Sequence, residues 1–180
     1  MATTSTRLMT FEEFERLPNP SDGVYELFHG EPITVSYPKN PHVQAQWQLR
    51  QLLQAAAGDS GRVYTEFPYR PLPEYECWGA DVAYLPQVRW EMIEDWFFGA
   101  PDLVIEVLSP SNTMATLRDK RKICLENGSL EFWVVDTNLH EVEVSTPDGR
   151  AIVYKSGQDI PLFFVENPEG GVLAVDAIFS

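Results

Sequence analysis

The stretch PDLVIEVLSPS, residues 101–111, restricts the possible folds of this chain more than any other. Leu103-Val104-Ile105 followed by Val107-Leu108 reads as a short buried strand. Glu106 stands in the middle of it. Alternation puts Val104, Glu106 and Leu108 on one strand face. An ionised carboxylate there is costly unless it is paired or binds a metal. The plain structural explanation is a strand-end glutamate that reaches solvent or a single salt bridge.

The segments around it organise the chain. Thr10 with Glu13 three residues on is a capping-box start, and the short helix it opens ends before Pro18 and Pro20. Residues 23–28 form a strand, His29-Gly30 a turn, and residues 31–36 its hairpin partner. His42 to Ala57 is the strongest helix, with Val43, Trp47, Leu49, Leu52, Leu53 and Ala56 as its apolar stripe and Gly58 as its stop. Strands follow at Arg62–Arg70 and Asp81–Leu85, the latter closed by Pro86, then an aromatic-rich irregular cover at 87–100. After the segment at 102–108, Ser109-Pro110-Ser111-Asn112 marks a turn. A second helix spans Thr113–Asn127 and stops at Gly128. Strands at 130–136, 141–145 and 151–154, separated by turns at 138–140 and 147–149, precede a tail ending Val172-Leu-Ala-Val. Strands mixed with two main helices define an α/β (α+β) class with a mixed sheet.

Bulk properties bound the function. A chain of 180 residues, 44% apolar and 22% charged, is expected to form one domain, residues 1–180, with a real core. No window has the length and apolarity of a transmembrane helix, and MATTSTRLMTFEEF lacks the apolar core of a signal peptide. Cys77 and Cys124 match no metal or redox spacing. A reducing cytoplasmic location is the default expectation. The net charge of −14 opposes a simple nucleic-acid-binding surface, which is usually basic. A nucleic-acid function requires a local basic patch and metal ions to offset phosphate repulsion.

Two further residues change the meaning of Glu106. Asp81 opens one strand and Glu106 lies inside the next; such a pair can hold one hard divalent cation. Taken alone, Asp81 is an ordinary strand-start aspartate. On a helical wheel of Thr113–Asn127, Leu117, Ile123 and Cys124 share one side, and Lys120 falls between Ile123 and Cys124. That face packs on the sheet, so Lys120 is placed to point back at Glu106. Arg121 lies at the edge of the same arc, and a snorkelling lysine that covers the core with its stem is the competing explanation.

The motifs resemble the Uma2 family of bacterial endonucleases with the restriction-endonuclease-like, PD-(D/E)XK fold. The matching pieces run from about Met9 to Phe179. They include Thr10-Phe-Glu-Glu-Phe, Tyr25-Glu-Leu-x-x-Gly30, His42, Ala80-Asp-Val, Pro101–Ser111, Lys120-Arg, Asn127-Gly and Glu131–Asp136. The resemblance implies a mixed central sheet flanked by helices, with the hairpin at 23–36 as an N-terminal extension. It implies metal-dependent hydrolysis of nucleic-acid phosphodiesters, DNA more than RNA, with Mg2+ or Mn2+ as cofactor, in a homodimer. Asp81 and Glu106 match the family's metal-ligand positions. Lys120 matches a catalytic lysine shifted from the superfamily's usual position, here Leu108, to the following helix. Glu26 would be an extra acid near the metal. The chain departs from the pattern at Ala80, Thr116 and Cys124, where proline, aspartate and tyrosine are usual.

In the chemistry so implied, the metal activates a water and polarises a phosphate oxygen, and Lys120 orients the water or stabilises developing charge. His42 opens the long helix and is either a satisfied helix-start residue or an auxiliary group. His29 and His140 fall in turns and are expected to be exposed; the three histidines form no zinc pattern. A different class competes: a binding or assembly module that keeps the nuclease fold without catalysis, which the acidity and the altered helix around Lys120 favour. In that case Trp90, Trp96, Phe97 and Phe98 would be a partner surface rather than a cap over the core. A hydrolase of small phosphoesters is a third reading that suits the acidity.

Overall fold

The computed structural model describes residues 7–18, 20–109, 112–165 and 171–180. Pro110 and Ser111, which belong to the expected turn and to the motif, lie outside the described residues, as does the extreme N-terminus read for a signal peptide.

The chain runs α1(Phe11–Phe14), β1(Val24–Phe28), β2(Glu31–Val35), α2(Asn40–Ala57), β3(Gly61–Tyr69), β4(Trp78–Pro86), α3(Gln87–Trp90), β5(Leu103–Val107), α4(Met114–Glu126), β6(Glu131–Asp136), β7(Glu141–Ser145), β8(Ala151–Lys155), β9(Asp159–Leu162), β10(Gly171–Ala174) and α5(Val175–Ile178). The capping box forms: Thr10 Oγ1 accepts from the Glu13 N–H and Glu13 Oε2 from the Thr10 N–H. The β1–β2 hairpin closes through His29 and Gly30, both with positive φ, as a two-residue hairpin turn requires. A Cβ at Gly30 would stand 2.7 Å from Leu8 Cβ, so the turn is also closely covered.

Six strands form one mixed sheet in the order β3-β4-β5-β6-β7-β8. Only β5 and β6 pair in parallel, Leu103 opposite Glu131 through Val107 opposite Val135. Parallel neighbours need a crossover, and α4 supplies it. Every residue of β5 is buried. Leu103, Ile105 and Val107 face a core shared with Ala45, Leu49 and Leu53 of α2. Val104 faces the opposite core with Trp78, Phe132 and Cys124 of α4. The sheet is thus covered by α2 on one face and α4 on the other. The hairpin extension docks on the start of β4, where Leu27 and Cys77 exchange two backbone hydrogen bonds of 2.9 Å.

Several expectations are corrected. Asp81 does not open its strand; β4 begins at Trp78 and carries Asp81 in its interior. On α2, Val43 (44% exposed) and Trp47 (55%) face outward. Ala45, Leu49, Leu53 and Ala57, each four apart, make the buried stripe, together with Gln46. The small Ala45 and Ala57 let the helix lie close on the sheet, which sequence hydrophobicity alone underweights. The β9–β10 pair and α5 are elements that the sequence pattern does not predict. They close the α2 side of the core through Ile160, Leu162, Leu173, Val175 and Ile178. The aromatic segment at 87–100 is mainly a cap: Phe97 is buried and Trp90 stacks on Tyr64 at 4.6 Å, while Phe98 stays exposed.

Candidate active site

Strand alternation breaks at one place in the sheet, and the acids gather there. On β4, Ala80, Ala83 and Leu85 belong to the α4-side core, whereas Val82 and Tyr84 belong to the α2-side core. Regular alternation would put Ala80 with Val82, so the strand slips by one at Asp81. On β3, Val63 faces the α2 side while Phe67 and Tyr69 face the α4 side, a matching slip. Glu66 lies between them with φ of +52°, a conformation that costs a non-glycine residue on the order of 1 kcal/mol or more. The register Thr65–Val82 and Phe67–Ala80 sets Glu66 across from Asp81. On the other flank, the register Val82–Ile105 sets Asp81 next to Glu106.

Asp81 joins the two sides. Its Oδ2 accepts the Val107 N–H at 2.6 Å, at the end of β5. Its Oδ1 accepts from Gln46 Nε2 at 3.0 Å and lies 3.0 Å from His42 Nε2. Gln46 Nε2 also donates to Glu66 Oε1. His42 and Gln46 come from the first turns of α2, four residues apart and therefore on one helical face.

On the opposite side, Lys120, only 5% exposed, leaves α4 and reaches two buried glutamates. Its Nζ is 3.1 Å from Glu26 Oε2 and 3.4 Å from Glu106 Oε1. The Trp78 ring lies 5.7 Å away, within cation–π range. Glu26 comes from β1 and is fixed by the Gly79 N–H at 2.9 Å. The hairpin extension therefore carries a site acid to the lysine. Arg121, which shared the arc on the wheel, turns away to Glu143 at 2.5 Å.

Burial pushes the Glu106 carboxyl well above the usual carboxylate range; Lys120 opposes this, and Asp81 and Glu26 reinforce it. Burial works against the charge of Lys120, but Glu106 and Glu26 outweigh it and hold the ammonium above its usual range. Physically, one cation among three carboxylates stays charged, and a proton is drawn to Glu106.

The departures from the family pattern have visible accommodations. Thr116 takes part in the helix cap, its N–H donating to Thr113 Oγ1 at 3.1 Å. Cys124 Sγ lies 3.3 Å from the Tyr69 hydroxyl. Burial pushes the Cys124 thiol up to about 12, so it is not a nucleophile at neutral pH. His29 and His140 are exposed as expected; His29 Nδ1 meets Glu76 at 2.8 Å and His140 stacks on Phe179. Sequence reasoning missed Glu66 and Gln46. No local signal marks either; the spacing of Gln46 four residues after His42 becomes informative only once His42 is placed.

Ligand atoms of His42, Glu66 and Asp81 all lie within 4.8 Å of one another. Among the described residues, neither ring nitrogen of His42 finds a hydrogen-bond partner, and both are shielded from solvent. Buried polar atoms of this kind call for a partner, and the donor set fits a divalent cation.

A mixed sheet with a helical crossover between its parallel strands, and acids on its central strands facing a buried lysine on that helix, is a nuclease-type architecture. The chain belongs to the Uma2 family: the family model, described as "Putative restriction endonuclease", matches residues 11–164. Among solved structures, it is similar to "a putative nuclease belonging to DUF820" from Anabaena variabilis. The TM-score is 0.81 at 21% identity, covering 95% of this chain and 97% of that one. That likeness shows the fold. No curated protein matches. Among the described residues, no helix is long and apolar enough to cross a membrane.

Proposed function

We propose that the chain is a metal-dependent endonuclease that hydrolyses nucleic-acid phosphodiester bonds, with DNA as the preferred substrate. The observation that carries this reading is the convergence of Asp81, Glu106 and Lys120 from β4, β5 and α4, with Glu26 delivered by the hairpin. Asp81 and Glu106 would hold Mg2+ or Mn2+. When bound, such an ion polarises a phosphate oxygen and acidifies a coordinated water. Lys120 offers a fixed positive charge for the negative charge that builds on phosphorus oxygens in the transition state. Glu26 and Glu106 keep that ammonium protonated and aimed. Asp81 is oriented by the Val107 N–H on one oxygen and Gln46 on the other. Two free buried cysteines suit a reducing cytoplasm, and the family resemblance favours a homodimer.

The second reading, a catalytically degenerate assembly module, draws support from the burial of Lys120 between two acids and from the charge of −14. Cleavage of supercoiled plasmid and single-stranded DNA in Mg2+, Mn2+ or EDTA separates the two. We expect metal-dependent nicking by the wild type and none by Glu106→Ala. Equal activity in Glu106→Ala would reject the site, and no cleavage in any metal would favour the module.

A further inference from the structure

Among the described residues, the imidazole of His42 makes no aligned hydrogen bond. Its Nε2 lies 3.0 Å from Asp81 Oδ1, yet the pair does not align as a hydrogen bond, and both ring nitrogens are shielded from water. A buried imidazole without an aligned hydrogen-bond partner is costly. Glu66 and Asp81, two carboxylates of like charge, both accept from the neutral amide of Gln46. Gln46 is itself 4% exposed and is held with its donor toward both. The nearest buried ammonium, Lys120, is engaged by Glu26 and Glu106. An imidazole and two carboxylates, drawn from α2, β3 and β4, thus converge within 4.8 Å of one another.

Donor chemistry then sets the metal. Mg2+ takes oxygen ligands and binds few protein groups. Imidazole favours first-row transition ions over Mg2+. We propose that His42 and Glu66 join Asp81 as ligands of one divalent transition-metal ion, so that the site selects an ion of the Mn2+ class over Mg2+. The inference rests on the reading of Asp81 as a metal ligand and extends it with two residues and a metal preference. His42 is then a ligand rather than a helix-start residue. The φ of +52° at Glu66 is the backbone cost of bringing its carboxylate back toward Asp81.

The test is direct binding, independent of DNA cleavage. Mn2+ titrated into the purified full chain is followed by loss of the free-ion paramagnetic resonance signal, and the bound ion is examined for nitrogen coupling by pulsed resonance. We expect about one bound Mn2+ with an imidazole nitrogen coupling in the wild type. His42→Ala should lose the coupling and weaken Mn2+ roughly tenfold or more, with Mg2+ binding unchanged. Glu66→Gln should weaken Mn2+ while retaining the coupling. The wild-type nitrogen signal keeps the test decisive even if a variant fails to fold. Bound Mn2+ without nitrogen coupling, or equal Mn2+ affinity in wild type and folded His42→Ala, would overturn the inference. Nitrogen-coupled Mn2+ without cleavage of any DNA would uphold the metal site and reject the nuclease reading. Failure to bind Mn2+ at all would reject the metal site outright.

Discussion

Lys120 brings one positive charge to Glu26 and Glu106, with Asp81 beside them. Removing one partner of a buried ion pair leaves the others uncompensated, at a cost of about 3–5 kcal/mol. Lys120→Met should therefore destabilise the chain by roughly that amount in urea unfolding at pH 8. The sign with pH follows from Glu106, whose folded carboxyl is raised from its ordinary value of 4.5. Its penalty exists when it is ionised and disappears as pH falls and it takes a proton. The destabilisation by Lys120→Met should accordingly shrink at pH 5.5, and Glu106→Gln added to it should restore part of the loss at pH 8. At this scale the sequence was informative for Glu106 and Lys120, because a charged residue in an apolar run or on an apolar helical face is visible locally. It was silent on Glu66, whose meaning comes from a backbone torsion.

The helix α2 shows what periodicity can and cannot fix. Its extent and its stop at Gly58 follow from local chemistry, but its orientation does not. Val43 and Trp47 are four residues apart and look like core, yet they face outward, while Ala45, Leu49, Leu53 and Ala57 face the sheet. Leu49→Ala should cost about 2–5 kcal/mol, because the side chain is fully buried and leaves a cavity. Trp47→Ala should change stability by no more than about 0.5 kcal/mol. Urea unfolding of the two variants checks the orientation; comparable losses would mean that the helix is turned differently. The same rotation brings His42 and Gln46 to Asp81, so the packing of one alanine-containing stripe also sets half of the candidate site.

For the molecule as a whole, acidity is a stability term. Burial raises the carboxyls of Glu66, Glu76, Asp102, Glu106 and Glu131 above their ordinary values. The native state then binds more protons than the unfolded chain just above the ordinary carboxylate range, so stability falls as pH rises through that window. Self-repulsion from a net charge of −14 acts in the same direction. Calorimetry in EDTA should give a higher unfolding temperature at pH 5.5 than at pH 8.5, and added salt at pH 8.5 should recover part of the difference. An unfolding temperature that rises steadily with pH would contradict it.

The sequence by itself determined the elements with strong local causes. These are the capping box at Thr10, the hairpin turn at His29-Gly30, the buried strand around Glu106 and the extents of α2 and α4. It also singled out Glu106 as a charge inside an apolar run and set Lys120, with Arg121 at its edge, on the apolar arc of α4, without deciding between a buried partner and solvent. The tertiary structure alone decided who the partners are. Glu26 reaches Lys120 only because the hairpin docks on β4. Asp81 meets His42 only because α2 turns its alanine stripe to the sheet. Glu66 meets Asp81 only because both strands slip by one residue at the same rung. Each of these contacts joins residues far apart in the chain, and no local propensity carries information about a contact that packing creates.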